Sequence, residues 1–290
     1  MACSERPTPT FAKLVSATQE PLPLDFERTY RIPGKHVQLM AALWHPGGFL
    51  LISDLARDTI WFWQPGGLPK VFRRPAGGPV GLALDPHGRL IVVEKLCNTV
   101  TRTEPDGAVI IVAETEDLGN NADIAAAVGD LADRLYVAVR TDAMAGFGPQ
   151  KKGTLKCVVR NETVEEFGQE ILVPLGLAWS EAEQTLWAVA GPDGGVWQLR
   201  RADGRWEADQ LTTLWEDPEI DHAGIAVHPS GLVAVASEAG LFLLEGGRKL
   251  VGRVELAEPP GACSWGGPGG PDDLVVTAGC SVYVIPAVTR

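Results

Sequence analysis

Short apolar segments recur along the chain, and each is followed by a turn and then by a second apolar segment. The intervals between the six segments are 40, 42, 53, 48 and 39 residues, and their turns are rich in Pro, Gly, Asp or Glu. Apolar and polar positions alternate as in strands, and no helical periodicity persists. An interval of about 40 residues fits four strands per repeat, so the pattern predicts an all-β protein, a six-bladed β-propeller. The six segments begin at Met40, Val80, Ala122, Leu175, Ala223 and Ala262.

The two ends of the chain predict how the propeller closes. Residues 1–24 are expected to form an irregular arm, because Pro7, Pro9, Pro21 and Pro23 prevent a long helix. Residues 25–290 then form the propeller, and the last repeat lacks room for a fourth strand. The strand-like residues 26–32 are predicted to complete that blade, since this pairing removes open sheet edges. The third repeat has a long insertion over residues 140–152, which predicts a lid or a binding loop.

Charge and cysteine content narrow the classes of partner. The formal net charge is −12, which disfavours binding to nucleic acid or to an anionic membrane. No apolar run approaches the ~18 residues of a membrane span. Five cysteines without a CxxC pair, and no signal-peptide pattern, predict a cytoplasmic protein. A closed propeller needs no partner to cover its edges, so we expect a monomer or a homodimer.

The first residues of the innermost strands surround one mouth of a propeller's central channel. All six are apolar here, so none can hold a metal ion or move a proton. Two interpretations stay open. The mouth is an apolar cup for a small molecule, or the channel is filled with packed side chains. The three alanines leave volume rather than fill it, which favours the cup.

The strings GLALDPHGRLIVVE, VTRTEPDG, VPLGLAWS and PGACSWGG, with LVVTAGCSVYVI, resemble the gluconolactonase, senescence-marker and regucalcin family of six-bladed propellers. The resemblance covers about residues 35–286. It implies a divalent cation at the channel mouth, held by a Glu, an Asn and an Asp that head three first strands. Those positions correspond here to Met40, Leu175 and Ala223. The Asn of a further, SPND-like segment of the family corresponds to Ala122. The Asp that follows it in that segment is present here as Asp123. Because a hard cation needs several oxygen ligands and these residues have none, we expect the fold of the family without its metal cofactor.

Polar residues near the mouth are the candidates for chemistry. Glu94 ends an apolar strand and is expected to be partly desolvated; if no cation lies near, its pKa rises and suits it to general acid or base catalysis. Asp54 takes the same place in the first repeat. His222 directly precedes a mouth residue and titrates near neutral pH. Arg140 is expected to bind a carboxylate, enolate or carbonyl oxygen. Asn121 and Glu238 are further candidates for contacts with the substrate.

The leading hypothesis is a metal-independent enzyme that binds an apolar terpenoid- or polyketide-like molecule. Cyclisation, cycloaddition or isomerisation of such a substrate needs mostly positioning, as in natural-product biosynthesis. The second hypothesis is a lactone or ester hydrolase that works without the usual metal ligands. The third is a propeller that binds a ligand without catalysis.

Overall fold

The computed structural model describes residues 12–17, 23–114, 118, 122–145, 148–160, 162–191, 194–217, 219–220 and 222–288. Its strands form six antiparallel sheets in a ring, so the predicted six-bladed β-propeller is confirmed. The innermost strands of neighbouring blades contact one another all the way round. None of the helices in these ranges is long and apolar enough to cross a bilayer.

The first three blades each have four strands in chain order. Blade one contains β3 (Leu39–His45), β4 (Phe49–Asp54), β5 (Thr59–Trp63) and β6 (Lys70–Arg73), with a 3₁₀ helix at Leu55–Arg57. Blade two contains β7 (Pro79–Leu84), β8 (Leu90–Glu94), β9 (Thr99–Thr103) and β10 (Val109–Glu114). Blade three contains β11 (Ala122–Gly129), β12 (Leu135–Ala145), β13 (Gly148–Val159) and β14 (Glu162–Phe167).

The last three blades repeat this order and receive the N-terminal strands. Blade four contains β15 (Pro174–Ser180), β16 (Thr185–Ala190), β17 (Gly195–Ala202) and β18 (Arg205–Thr212). Blade five contains β19 (Ala223–Val227), β20 (Leu232–Ser237), β21 (Gly240–Glu245) and β22 (Lys249–Leu256). Blade six contains β23 (Pro260–Gly267), β24 (Gly270–Ala278) and β25 (Ser281–Ile285). The N-terminal strands are β1 (Ala12–Ala17) and β2 (Tyr30–Arg31).

Both N-terminal strands cover sheet edges. As predicted, β2 completes blade six by pairing with β25. The prediction of an irregular arm over residues 1–24 is wrong for Ala12–Ala17, because β1 pairs antiparallel with β22 and gives blade five a fifth strand. The prolines restrict helix formation, but they leave this short proline-free stretch able to satisfy its backbone groups in a sheet.

The core consists of six apolar clusters, one at each interface between neighbouring blades. Leu50 and Ile52 of β4 pack in the cluster shared with blade six. Leu51, between them, packs in the cluster shared with blade two. Because successive side chains of a strand point to opposite faces, a strand buried on both faces needs a continuous apolar run. This explains the continuous apolar runs within the second strands, such as LLI in β4 and LIVV in β8.

The long insertion of blade three takes the form of a hairpin rather than an irregular loop. Pairing between β12 and β13 continues without interruption from Leu135 with Val158 to Ala145 with Gly148. Residues 146–147, at its tip, lie outside the described residues. Arg140, on β12, lines the mouth of the channel, so the hairpin extends the propeller at that end.

Candidate functional site

A small cavity of about 170 Å³ opens at the end of the channel where the first strands begin. Apolar side chains of several blades line it, and among them are Met40, Val80 and Leu175. Four polar side chains also line the cavity, from blades one, two, three and five: Gln38, Lys95, Arg140 and His222. A narrower space of about 90 Å³ continues along the first strands of all six blades. The site is therefore an apolar cup whose rim carries positively charged or neutral polar groups.

Backbone bulges place the residues that surround the cup. Near the mouth, five of the six first strands skip one residue in the pairing with the second strand: Met40, Val80, Ala125, Leu175 and Gly261. In blade five Ala223 pairs directly with Ser237. Ala125 and Gly261 thus replace the predicted Ala122 and Ala262 as ring positions, although Ala262 still lines the channel. Ala122 begins β11, and its side chain lies outside the described residues.

These ring positions do not fit the cation that the family resemblance implies. Met40, Leu175 and Ala223 have no side-chain oxygen, and Leu175 and Ala223 are only 2% and 1% exposed. A hard cation needs several oxygen ligands in one cage. Among the described residues, no group of three or more His, Cys, Asp and Glu side chains is arranged to hold a metal ion. The residues present at the mouth therefore do not form the cage that such a cation needs.

An ion-paired set lies on one side of the cup. The Nη2 atom of Arg140 donates to Asp123 Oδ2 at 2.6 Å, and Lys95 Nζ is 3.8 Å from Asp123 Oδ1. The Arg140 side chain is 13% exposed, whereas those of Lys95 and Asp123 are 49% and 39% exposed. One carboxylate thus binds two cations, so the set has a net positive charge inside a protein of net charge −12. The prediction singled out Arg140 but gave no role to Lys95 or Asp123. Lys95 directly follows the second strand of blade two, and Asp123 lies at the start of the first strand of blade three.

His222 lies at the cup on the side of blade five. Its Nε2 atom is 3.3 Å from the backbone carbonyl oxygen of Met40 in blade one. A carbonyl oxygen only accepts hydrogen bonds, so Nε2 carries the proton in this contact. In the neutral ring the lone pair is then on Nδ1. His222, Arg140 and Lys95 therefore line one cavity, as the sequence predicted for the first two.

Glu94 has a different environment from the one expected. It is buried, and its Oε1 atom accepts hydrogen bonds from the Arg73 guanidinium and from the Thr101 hydroxyl. The condition for a raised pKa of Glu94, that no cation lies near it, is not met, because Arg73 on the outermost strand of blade one reaches across to it. These contacts hold blade one against blade two and occupy the carboxylate that the prediction assigned to proton transfer.

Asp54 is also a structural residue. It is fully buried, and its two carboxylate oxygens accept the backbone N–H groups of Val37 and Gln38, both at 3.2 Å. It thereby fixes the connection that leads into β3. Glu238 is exposed after β20 and is not among the residues lining the mouth cavity. Asn121 lies outside the described residues.

Cys263 lines the narrow part of the channel. Burial raises the pKa of its thiol to about 12. Its Sγ atom is 3.5 Å from the backbone carbonyl oxygen of Ala234. The thiol is therefore protonated at neutral pH and is a poor nucleophile.

A larger cavity of about 660 Å³ lies at the other end of the molecule, between blades two and three. Its charged side chains bind one another: Arg89 Nε donates to Asp85 and Arg134 Nε donates to Asp130, both at 2.6 Å. These pairs stabilise the turns after β7 and β11. We therefore place the candidate site at the mouth rather than in this larger cavity.

Comparisons with known proteins agree with this architecture. A gluconolactonase structure from Xanthomonas campestris has 16% identity and a TM-score of 0.76, with coverage of 99% of this chain and 100% of that one. A calcium-binding regucalcin from Agrobacterium tumefaciens has 12% identity and a TM-score of 0.69, covering 89% and 93%. A catalytically inactive His-to-Ala variant of virginiamycin B lyase from Staphylococcus aureus, with quinupristin, has 14% identity and a TM-score of 0.56, covering 89% and 83%.

At these identities the structural neighbours show the fold alone. A comparison with curated protein sequences finds no significant match. The profile of the SMP-30/gluconolactonase/LRE-like region, in contrast, matches residues 41–279, which is most of the chain. The chain therefore belongs to the SMP-30/gluconolactonase/LRE-like family.

Proposed function

We propose that this protein is a metal-independent hydrolase of small lactones or related esters. The observation that carries the proposal is the convergence of His222, Arg140 and Lys95 on one small cavity with an apolar floor. Family membership supports lactone chemistry. The missing oxygen ligands at Met40, Leu175 and Ala223 argue for a different means of stabilising negative charge.

Each polar group has a role in this reaction. A water molecule attacks the lactone carbonyl carbon, and the imidazole of His222 accepts its proton at Nδ1. Arg140 and Lys95 stabilise the oxyanion that forms on the carbonyl oxygen, because their positive charges lie where that negative charge develops. When the acyl carbon–oxygen bond breaks, the imidazolium returns the proton to the leaving alkoxide. The product is a hydroxy acid, whose carboxylate the same cations bind.

The size of the cup limits the substrate. Its volume of about 170 Å³ is smaller than the ~300–1,000 Å³ of pockets that hold drug-sized molecules. This favours a short alkyl lactone over a terpenoid or polyketide. Cyclisation or isomerisation of such large molecules stays a prediction for which the site offers no specific support.

The virginiamycin B lyase neighbour adds an analogy. Its structure carries a histidine-to-alanine change and is described as catalytically inactive, so one histidine matters to a propeller enzyme of this fold. The analogy rests on fold and chemistry, because the identity is low. It supports histidine chemistry on this fold, and the assignment of His222 itself rests on its place at the cup.

The proposal is tested by assaying purified, chelator-treated protein on alkyl γ- and δ-lactones, with a sugar lactone for comparison. Proton release in weak buffer reports ring opening. We expect the alkyl lactones to be opened faster than the sugar lactone, at a rate that added Ca²⁺, Mg²⁺ or Zn²⁺ leaves unchanged. Activity that appears only with a metal contradicts the proposal. Binding of the lactones without ring opening instead supports the non-catalytic alternative.

A further inference from the structure

The outermost strand of a propeller blade is an exposed sheet edge, and this protein protects such edges in two ways. In blade five, β1 covers the edge by pairing with β22. In blade four, the outermost strand β18 alternates its half-buried residues with exposed charged ones, Arg205, Glu207 and Asp209. Covering strands and exposed charges both keep a sheet edge from associating with other chains.

The outermost strands of blades one and two, β6 and β10, differ from these. Each exposes consecutive large apolar side chains, which are from 39% to 52% exposed: Val71 and Phe72 in β6, and Val109, Ile110 and Ile111 in β10. Blades one and two are neighbours in the ring, so the two runs lie side by side on the outer wall of the propeller. Contiguous apolar surface of this kind marks a site of association with another molecule.

The charges that flank the two apolar runs have opposite signs. Residues 70–74, the basic strip, read KVFRR, and residues 106–114, the acidic strip, read DGAVIIVAE. Lys70 and Arg74 are exposed at the two ends of the basic strip. Asp106 is exposed at one end of the acidic strip, and Glu114 is half-buried at the other. Two copies of the same strip would repel each other, whereas the basic and the acidic strip attract.

We propose that this part of the outer wall is the interface of a homodimer, in which the basic strip of each copy packs against the acidic strip of its partner. One chain carries both halves of the complementary pair on adjacent blades, as a two-fold interface requires. A two-fold axis parallel to the channels, placed between blades one and two, forms both contacts at once. The apolar side chains are then buried at the centre of each contact, and the charges lie at its rim.

This geometry leaves the mouth of each copy accessible. Because the two-fold axis is parallel to the channels, both mouths open on the same side of the dimer. No residue of either strip lines the mouth cavity, so the interface is independent of the proposed hydrolysis.

The first test is sedimentation of the intact protein over a range of concentrations. We expect a reversible dimer of the 31.0 kDa chain. Phe72→Ser and Ile110→Ser should each weaken dimerisation about a hundredfold, because loss of one buried apolar side chain costs about tenfold and each change is present twice. Leu172→Ser, which changes an exposed apolar residue outside both strips, should leave the dimer intact.

Charge reversal then tests which strips meet. Lys70→Glu with Arg74→Glu makes both strips acidic, and Asp106→Lys with Glu114→Lys makes both strips basic. Each variant alone should be monomeric. An equimolar mixture of the two should form a heterodimer, because each strip again faces one of opposite charge.

A matched control separates the interface from the effect of net charge. Arg205→Glu with Arg248→Glu changes the net charge as much as the acidic variant does, but on blades four and five, and should still dimerise. Thermal unfolding shows whether each variant is folded. A wild type that is monomeric at every concentration would overturn the proposal and leave this wall to a partner of another kind. A dimer that survives the serine and charge variants, or folded charge variants that do not associate when mixed, would also overturn it.

Discussion

His222 Nε2 lies 3.3 Å from the backbone carbonyl oxygen of Met40, a residue 182 positions earlier in the chain. The contact joins blade five to blade one across the sector of blade six. It fixes the orientation of the imidazole at the cup and, since Nε2 carries the proton, the tautomer of the neutral ring. The general-base role proposed for His222 depends on this contact.

Replacing His222 with Gln should therefore abolish most of the lactonase activity. Loss of a positioned general base lowers kcat by about 10²–10⁴-fold, while KM changes little because the apolar floor is intact. Steady-state proton-release assays on an alkyl lactone measure both constants. His228→Gln is the matched control, because His228 lies at a turn at the far end of the channel, 3.0 Å from Asp272. Equal activity of both variants and the wild type would remove His222 from the mechanism.

Arg140 should contribute charge stabilisation that its neighbour Lys95 cannot fully replace. Arg140→Met leaves Asp123 with only the more distant Lys95, so the positive charge at the cup is neutralised. We expect kcat to fall by about 10²–10³-fold, the range for loss of one oxyanion-stabilising donor. Arg140→Lys keeps the charge but loses the planar guanidinium, so its kcat should lie between those of the wild type and Arg140→Met. A loss confined to KM, equal in both variants, would instead indicate a role in binding alone.

Glu94 should matter to stability and not to catalysis. Glu94→Ala leaves Arg73 partly buried without its carboxylate, and such losses cost about 3–5 kcal/mol. Urea denaturation at neutral pH measures this change in the free energy of unfolding. The folded fraction should keep the wild-type kcat. Glu238→Ala, at an exposed position, should change neither quantity, and a selective loss of kcat in Glu94→Ala would restore the catalytic assignment.

The sequence predicts the blades well because the strands of one blade follow one another along the chain and pair with their neighbours in sequence. The apolar run of residues 49–53 is observed as β4 (Phe49–Asp54), which is buried on both faces as a continuous apolar run predicts. The pairing of Ala12 with Leu256 has no such local signal, because the two residues meet only after the whole ring has closed.

The candidate site was harder to predict for the same reason. Glu94 precedes an exposed turn, and nothing in its own segment shows that Arg73 reaches it from the outermost strand of the previous blade. The positions of the bulges could not be predicted from the sequence either, because a skipped residue such as Ala125 is apolar like its neighbours. Arg140 and His222 could be placed at the mouth because Arg140 begins the insertion of blade three and His222 directly precedes the first strand of blade five.

The ring positions should accept the family's cation if its oxygen ligands are restored. The variant Met40→Glu, Leu175→Asn, Ala223→Asp places a carboxylate, an amide and a second carboxylate around the mouth. Without a cation the two carboxylates repel each other and the amide lacks a hydrogen-bond partner. The metal-free variant should therefore be less stable than the wild type. Calcium at about one hundred times Kd should add about 2.7 kcal/mol to its free energy of unfolding.

The wild type is the control for that experiment. Because Met40, Leu175 and Ala223 provide no oxygen ligands, its melting temperature should be the same with chelator and with excess Ca²⁺, Mg²⁺ or Zn²⁺. A shift of the wild-type melting temperature on chelation would show a metal site built from other residues. A triple variant that folds but ignores calcium would show that these positions do not form the cage.

His36 should make the stability of the protein depend on pH below neutrality. Burial is the main cause that lowers its pKa from the ordinary value of 6.5, Asp54 opposes the shift, and Arg57 adds to it. The unfolded chain therefore binds the proton at a higher pH than the folded chain does. Stability from the neutral ring is complete above about pH 6.5 and is lost as the pH falls towards the folded pKa.

In His36→Phe, which fills the same space without a titrating group, the fall in free energy of unfolding between about pH 8 and pH 5.5 should be smaller than in the wild type. Urea denaturation across this range measures the difference. Parallel pH profiles of the two proteins would mean that the imidazole is solvated well enough to take up its proton without cost.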